Sequence, residues 1–298
     1  MGRRRRFTKV AVLMGGFSTE REISLQSGQA VARGLAEAGY DVAAVDLRDR
    51  DPRFPAGVEA VFIALHGAFG EDGGIQELLA RRGMPYTGSG PEASRAAMDK
   101  RLSKRLFAAR GVPTPEYELL RDGQTPALPL PVVVKPVAQG SSIGVHIVRE
   151  PAQLAAALRD ALAYGPEALV ERYVAGRELT VGVVGDEALP VVEIVAPDGW
   201  YGFDAKYTRG ASRYLVPAPM DAADCARAQR IGLQTFRALG CRGLARIDCR
   251  YADDGGIYVL ELNSIPGFTE TSLLPKAAAQ AGIGFAELCA RIMETASL

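Results

Sequence analysis

A parallel-sheet α/β domain is what the first hundred residues of this chain predict, inside a protein of two or three domains. Three observations point there. Strand-like apolar runs alternate with helical stripes over that stretch, the pattern of strands connected by helices. The chain has 298 residues, more than one ordinary core accommodates. Val112 to Pro115 carries two prolines and reads as a rigid, extended passage into a further domain.

The elements follow in order. Lys9 to Met14 reads as a buried strand, turned by Gly15 and Gly16. Thr19 and Glu22 fit a capping box for a helix with the stripe Ile23, Val31, Leu35 and Ala38, closed by Gly39. Asp41 to Leu47 and Ala60 to Leu65 are strands, Gly74 to Arg82 a helix, and Pro85 to Thr87 a short strand. Met98, Leu102, Leu106 and Ala109 form one face of a helix that stops at Gly111. Strands at Pro131 to Pro136 and Val145 to Val148 flank the tight loop Gly140 to Gly144. A helix over Ala152 to Ala163 and a strand over Ala168 to Val174 come next. Strands at Leu179 to Val184 and Pro190 to Val195 lead into Pro197 to Ser212, long and without periodicity, a candidate lid. Asp221 to Leu239 is a helix closed by Gly240; two strands, a polar loop and a C-terminal helix complete the chain.

Composition excludes several classes. Lys plus Arg and Asp plus Glu both number 35, so no global charge draws the chain to nucleic acid or to a membrane surface. No apolar run approaches the roughly 20 residues of a membrane span. The run Arg3 to Arg6 stands directly before a strand and reads as a solvated, disordered terminus, and nothing there resembles the apolar core of a signal peptide. Cys225, Cys241, Cys249 and Cys289 lack paired metal spacing and read as buried reduced thiols of a cytoplasmic protein. His66 and His146 are too few and too far apart for a zinc centre.

The strongest chemical signal is a hairpin. Leu244 to Tyr251 and Ile257 to Leu262 flank Asp253-Asp254-Gly255-Gly256, and Asp254-Gly255 is a preferred two-residue turn. Counting back from it sets Asp248 opposite Glu261 and Arg246 opposite Asn263, all four on one face. Ile247, Cys249, Leu260 and Leu262 fall on the other, apolar face. Facing carboxylates repel unless a cation lies between them, and a donor set of two carboxylates and an amide suits magnesium held jointly with substrate phosphates. A solvated outer sheet face is the alternative reading. A second signal is Lys135 at a strand end followed by Gly140-Ser141-Ser142-Ile143-Gly144, a loop able to close backbone and hydroxyl groups on a phosphate. It is not a Walker A loop, because a strand follows it and no Gly-Lys-Ser/Thr opens a helix. An ordinary flexible hairpin is the alternative here.

These residues, with others in the same order, resemble the D-alanine–D-alanine ligases of the ATP-grasp superfamily over nearly the whole chain. The shared motifs are Gly15 to Ser24, Leu65-His66-Gly67 with Gly70 to Gly73, Tyr86 to Gly90, Met98-Asp99-Lys100, Lys135-Pro136 with the glycine-rich loop, Ala205-Lys206-Tyr207, Gly243 to Asp248, and Glu261 to Gly267. The resemblance implies an N-terminal parallel α/β domain (1–97), then a two-part ATP-grasp fold made of a central (98–177) and a C-terminal (178–298) α+β domain. It implies that ATP phosphorylates one D-alanine carboxylate and that a second D-alanine amine displaces the phosphate, for peptidoglycan precursors, in a cytoplasmic homodimer.

Site roles follow from the same resemblance. Lys100, Lys135 and Ser142 match phosphate-binding positions; Glu171, Arg172 and Val174 match the adenine-reading segment; Glu178 matches the ribose-binding carboxylate. Asp248, Glu261 and Asn263 match the ligands of Mg2+, two ions being expected and Mn2+ able to substitute. Glu20, with His66 nearby, matches the site for the first D-alanine's ammonium. Arg246 and the N–H of Gly267 match the oxyanion site, and Ser272 and Leu273 the pocket for the second carboxylate. Lys206 and Tyr207 match lid positions, with Ser141, Tyr207 and Glu20 as a hydrogen-bonded set. Gln139 stands where an acid is often found, and Glu270 adds an acid near the second subsite. Tyr207 favours an amine nucleophile over D-lactate. A dinucleotide-dependent oxidoreductase is disfavoured, because Gly15-Gly16-Phe17-Ser18 lacks the spaced glycines that pyrophosphate needs.

Overall fold

The structure, a computed structural model, describes residues 5–196, 201–202 and 212–298. Its first sheet is parallel: β1 (Lys9–Gly15) lies between β2 (Asp41–Leu47) and β3 (Ala60–Ile63). A parallel strand covered on both faces must be apolar throughout, which is why Val10 to Met14 show no alternation. Val10, Val12 and Met14 pack with Val31 and Leu35 of α1 (Arg21–Glu37), while Ala11 and Leu13 pack with Ile75 and Leu79 of α2 (Gly74–Arg81). Pro85 to Thr87 forms no strand; Tyr86 makes single bridges to Val61 and Ser297.

The expected capping box of α1 does not form. Glu20 occupies the N-cap position without a side-chain cap bond. Ser18 organises the turn instead: its hydroxyl accepts from the Glu20 N–H at 3.2 Å and donates to the His66 carbonyl at 2.7 Å. Of the Arg3 to Arg6 run, the described Arg5 and Arg6 are exposed, as a solvated terminus predicts, yet both make contacts. The Arg5 guanidinium reaches the carbonyls of Ala38 and Gly39 and lies 5.0 Å over the Tyr40 ring, and Arg6 donates to the Ala296 carbonyl at 2.8 Å. Arg5 and Arg6 thus have carbonyl and ring partners that charge counting does not reveal.

The single helix expected around Met98 to Ala109 is two: α3 (Pro91–Met98) and α4 (Lys100–Ala109). Asp99 leaves helical geometry at the junction, and its carboxylate accepts from the N–H groups of Arg101 and Leu102 at 2.9 and 3.0 Å. The buried face of α4 is Lys100, Ser103, Lys104 and Phe107. The apolar stripe Leu102 and Leu106 is only partly covered. Periodicity found the helix but not the face that matters, because two of the most buried side chains there are lysines.

The second sheet is antiparallel, in the order β4 (Tyr117–Leu120), β7 (Ala168–Arg172), β5 (Val132–Pro136), β6 (His146–Val148), with α5 (Pro151–Leu162) packed on it. Strand β4 was not expected; its four residues are too few to show a period. The third sheet runs β11 (Arg213–Leu215), β10 (Val192–Val195), β8 (Arg177–Val184), β12 (Leu244–Tyr251), β13 (Ile257–Asn263), with β9 (Glu187–Ala188) paired to β8. Helix α6 (Ala222–Ala238) covers its Val181 side and α7 (Leu273–Gln280) its Gly182 side. A last helix, α8 (Phe285–Glu294), returns to pack Leu288 and Ile292 with the α1 cluster. Where the sequence predicts one C-terminal helix, the structure has two, α7 and α8. Among the described residues, no helix is long and apolar enough to cross a membrane.

Gly28 sets the distance between α1 and β1. A β-carbon there would lie 2.3 Å from Met14 Cβ, an atom next to the backbone that cannot swing aside. Gly28→Ala is expected to destabilise the protein by about 1–3 kcal/mol, the range for overpacking a filled core, read as a lower urea midpoint.

Candidate active site

The hairpin places the polar residues of the third sheet. Arg246 pairs with Asn263 and Asp248 with Glu261, as the turn count predicts. The route differs. Ala252 accepts from Gly255 N–H and donates to the Gly256 carbonyl, so the turn closes one residue earlier than Asp254-Gly255 alone would place it. A bulge between Asp248 and Cys249 then restores the expected register. Cys249 consequently faces Val259, and Val259 holds the fully buried position expected for Leu260. Bulges commonly re-aim side chains beside active sites.

Asp248 is held from three directions. Arg246 donates to both its oxygens at 2.9 and 2.7 Å, Thr180 Oγ1 donates to Oδ1 at 2.6 Å, and Asn263 Nδ2 donates to Oδ2 at 3.0 Å. Thr180 sits opposite Asp248 on β8. Burial works against the Arg246 charge, but Asp248 overrides it and holds the guanidinium above its ordinary range. Glu261 has its own cation: Lys100 Nζ lies 3.6 Å from its carboxylate. Arg246 and Lys100 thus separate the two acids that the register brings together.

Lys100 joins this sheet to the glycine-rich loop. Its N–H donates to the Val137 carbonyl at 2.9 Å and its Nζ to the Gln139 carbonyl at 2.6 Å. Lys100, Gln139, Gly140, Glu261, Asn263 and Glu71 line one cleft. In the loop, Ser141 and Ser142 both hold left-handed backbone, with φ of 53° and 58°. Ser141 Oγ donates to Glu20 at 2.6 Å and Ser142 Oγ to the Tyr201 carbonyl at 3.4 Å. The Ser141–Glu20 bond ties the loop to the start of α1. A β-carbon on Gly67 would lie 2.9 Å from Glu20 Oε2, so glycine makes the room that the carboxylate occupies.

A relay of contacts links His66 to the Gly267 loop. His66 Nε2 lies 3.1 Å from Ser27 Oγ, which accepts from the Phe268 N–H at 3.2 Å. Gly267 stands beside Ser272, whose Oγ accepts from the Thr269 N–H at 3.0 Å and would be 3.5 Å from a β-carbon on Gly267. Ser272 is the N-cap of α7 and Leu273 its first residue, buried. Lys206 and Tyr207, and the lid segment apart from residues 201, 202 and 212, lie outside the described residues.

On the second sheet, Lys135 Nζ donates to Glu171, which is also 2.7 Å from Lys104 Nζ. Burial alone would raise the Glu171 carboxyl; Lys104 and Lys135 override it and hold it below the ordinary range. The Arg172 side chain turns to the Tyr258 ring, 5.2 Å away. Glu178 is paired with Arg250 at 3.2 Å, and Arg250 also donates to the carbonyls of Val174 and Gly176 at 3.1 and 2.6 Å.

Sequence reasoning missed Lys104, Thr180, Arg250 and Ser27. Two had a signal. Lys104 follows Lys100 by one helical turn, a like-charge pair with no acid in α4. Arg250 continues the alternation Arg246, Asp248 on the polar face. A wider surface groove lies at the far end of α4, lined by Arg110, Arg230, Gln234 and Arg237 among others. It is remote from Lys100, and its named lining residues include no carboxylate.

Two antiparallel sheets, one carrying the buried Lys135 and the other a carboxylate pair, joined through a helix with two buried lysines and a glycine-rich loop, define an ATP-grasp protein. The model of the D-Ala D-Ala ligase C-terminus matches residues 106–294, and that of the N-terminus residues 47–89. The chain is 46% identical over 295 residues to a D-alanine–D-alanine ligase of Syntrophotalea carbinolica, covering 97% of this chain and 96% of that one. Two crystal structures of the D-alanine–D-alanine ligase of Bacillus anthracis superpose on it over 97% of both chains. The structure complexed with ATP gives a TM-score of 0.83 at 29% identity, the other 0.85 at 32%. The chain belongs to the D-alanine–D-alanine ligase family.

Arg250 is buried and holds the half-buried Glu178 carboxylate and two carbonyls. Arg250→Met is expected to cost about 1–3 kcal/mol, because the Val174 and Gly176 carbonyls lose a buried donor and the half-buried Glu178 loses its Arg250 partner. Equilibrium unfolding in urea measures it.

Proposed function

We propose that this chain joins two D-alanines at the expense of ATP, through a D-alanyl phosphate, and that its residues divide the work as follows. A free carboxylate is a poor electrophile; transferring the γ-phosphoryl group to it supplies a leaving group. That transfer depends on positioning and charge neutralisation. Lys100 and Lys135 supply positive charge, and the Ser141–Ser142 loop supplies N–H and hydroxyl groups. The segment Glu171 to Val174 reads adenine through its backbone, the Arg172 side chain being engaged elsewhere, and Glu178 takes the ribose.

The donor set fits magnesium. Asp248, Glu261 and Asn263 offer hard oxygens, and Asn263 donates to Asp248 through nitrogen, leaving its carbonyl oxygen available. Among the described residues, no group of three His, Cys, Asp or Glu side chains forms a competing site. These three residues would hold the ion, which when bound neutralises phosphate oxygens.

Glu20 binds the ammonium of the first D-alanine, with His66 nearby. The amine of the second attacks the acyl phosphate carbonyl; the bond to nitrogen forms, the bond to phosphate oxygen breaks, and the amine loses a proton. Arg246 and the Gly267 N–H face the oxyanion of that step. Ser272 and Leu273 receive the second carboxylate. The Glu20–Ser141 bond draws the loop over the substrates and excludes water, which would otherwise hydrolyse the intermediate. Lys206 and Tyr207 complete the cover. The protein acts in the cytoplasm as a homodimer, with peptidoglycan precursors as the use of its product.

What carries this reading is the cleft in which Lys100, Gln139, Gly140, Glu261 and Asn263 meet. Phosphate release from ATP is expected with D-alanine and not with L-alanine or D-lactate; release indifferent to D-alanine overturns it. Asp248→Asn is expected to lower kcat by about 100-fold or more, in the range seen when one electrostatic stabiliser is removed.

A further inference from the structure

Glu171 lies between two ammonium groups and away from water. It is 1% exposed, Lys104 is fully buried, and Lys135 is 6% exposed. Lys104 has a second acceptor, Thr114 Oγ1 at 2.5 Å, which itself donates to the Val259 carbonyl of β13 at 2.7 Å. Its ammonium also lies 5.8 Å over the Tyr117 ring. Burial pushes the Lys104 ammonium below the ordinary lysine range, and Glu171 pulls the other way.

Counting charges shows what this arrangement does. Lys135 and Glu171 alone are a neutral pair, and a neutral pair offers a phosphate little net attraction. Adding Lys104 brings the three groups to one net positive charge. Solvent cannot play the part of Lys104, because Glu171 is sealed from it. We infer that Lys104 is a positioning residue for nucleotide binding: it balances Glu171 from behind, so that Lys135 meets the phosphates with its charge uncompensated. Buried as it is, Lys104 touches no phosphate and acts through Glu171. The inference rests on the reading of Lys135 as a phosphate-binding residue.

The test compares the binding of ATP and of adenosine to the full chain by calorimetry, with magnesium present. Adenosine has the base and ribose without phosphates, so the ratio of the two affinities isolates the phosphate contribution, and any change at the adenine site divides out. Lys104→Met is expected to lower the ATP preference by about ten-fold or more. Glu171→Gln, which raises the net charge, is expected to increase it. The double variant K104M/E171Q is expected to return close to the wild-type ratio. A role in folding alone would move both ligands together and would not be rescued by the second substitution; that outcome overturns the inference. If K104M does not fold, Glu171→Gln decides by sign, and an unchanged or reduced ATP preference overturns it. Lys135→Met separates the two claims. A ratio unchanged by K135M defeats the phosphate reading, whereas a ratio lowered by K135M and unmoved by K104M defeats only the role of Lys104.

Discussion

The site depends on one constraint, the pairing of β12 with β13 that sets Asp248 against Glu261. Two carboxylates across a ladder repel, and the sheet tolerates them because each has its own cation. Arg246 reaches Asp248 from two residues away on the same strand, and Lys100 reaches Glu261 from the first turn of α4. The second of these ties a helix to the sheet. The acids that make the strand pair unfavourable alone thereby add a tie between α4 and the third sheet, beside the packing of Phe107 against Ile247 and Val259 in one core.

Acid and base partners recur away from the hairpin, there drawn from different elements. Arg250 of β12 holds Glu178 of β8 and the carbonyls of Val174 and Gly176, fixing the passage from the second sheet to the third. Lys104 of α4 and Lys135 of β5 share Glu171 of β7. Removing Lys104 or Lys135 would leave the buried Glu171 with one cation where it has two, and removing one partner from a buried pair costs more than the complete pair contributes. Such networks fix relative placement, which is what phosphoryl transfer requires of a protein.

Much of this was legible in the sequence, for identifiable reasons. The β1 run Lys9 to Gly15 stands out because burial on two faces requires unbroken apolarity, whereas Asp41 to Leu47, at the sheet edge, is mostly half-buried and keeps two aspartates. The pairing of Asp248 with Glu261 was found through the turn, although two departures, an earlier closure and a compensating bulge, cancel at that point; at Leu260 they do not cancel. Helix faces fared worse. Pattern reading assigns lysines to solvent, so Lys100 and Lys104 could not be placed inside by it, and only the family motif recovered Lys100. Lys104 and Arg250 carry a local signal in helical spacing and strand alternation, but it does not name their partners, Glu171 and Glu178, which lie 67 and 72 residues away in the chain. Long-range electrostatic pairing leaves no local period.

Where the sequence rules failed at the start of α1, the failure has a functional logic. Thr19 and Glu22 satisfy the capping pattern, yet the chain uses Ser18 to build the turn and leaves Glu20 uncapped at the helix start. A cap is worth about 1 kcal/mol, and two serines in left-handed backbone cost of order 1 kcal/mol each. Both departures fall at one point, where Glu20 accepts from Ser141. A helix start optimised for its own stability would direct its side chains at its own N–H groups. This one directs a carboxylate outward, across a gap opened by Gly67, to a loop bent to meet it. Local stability has been exchanged there for a contact between parts of the chain 121 residues apart.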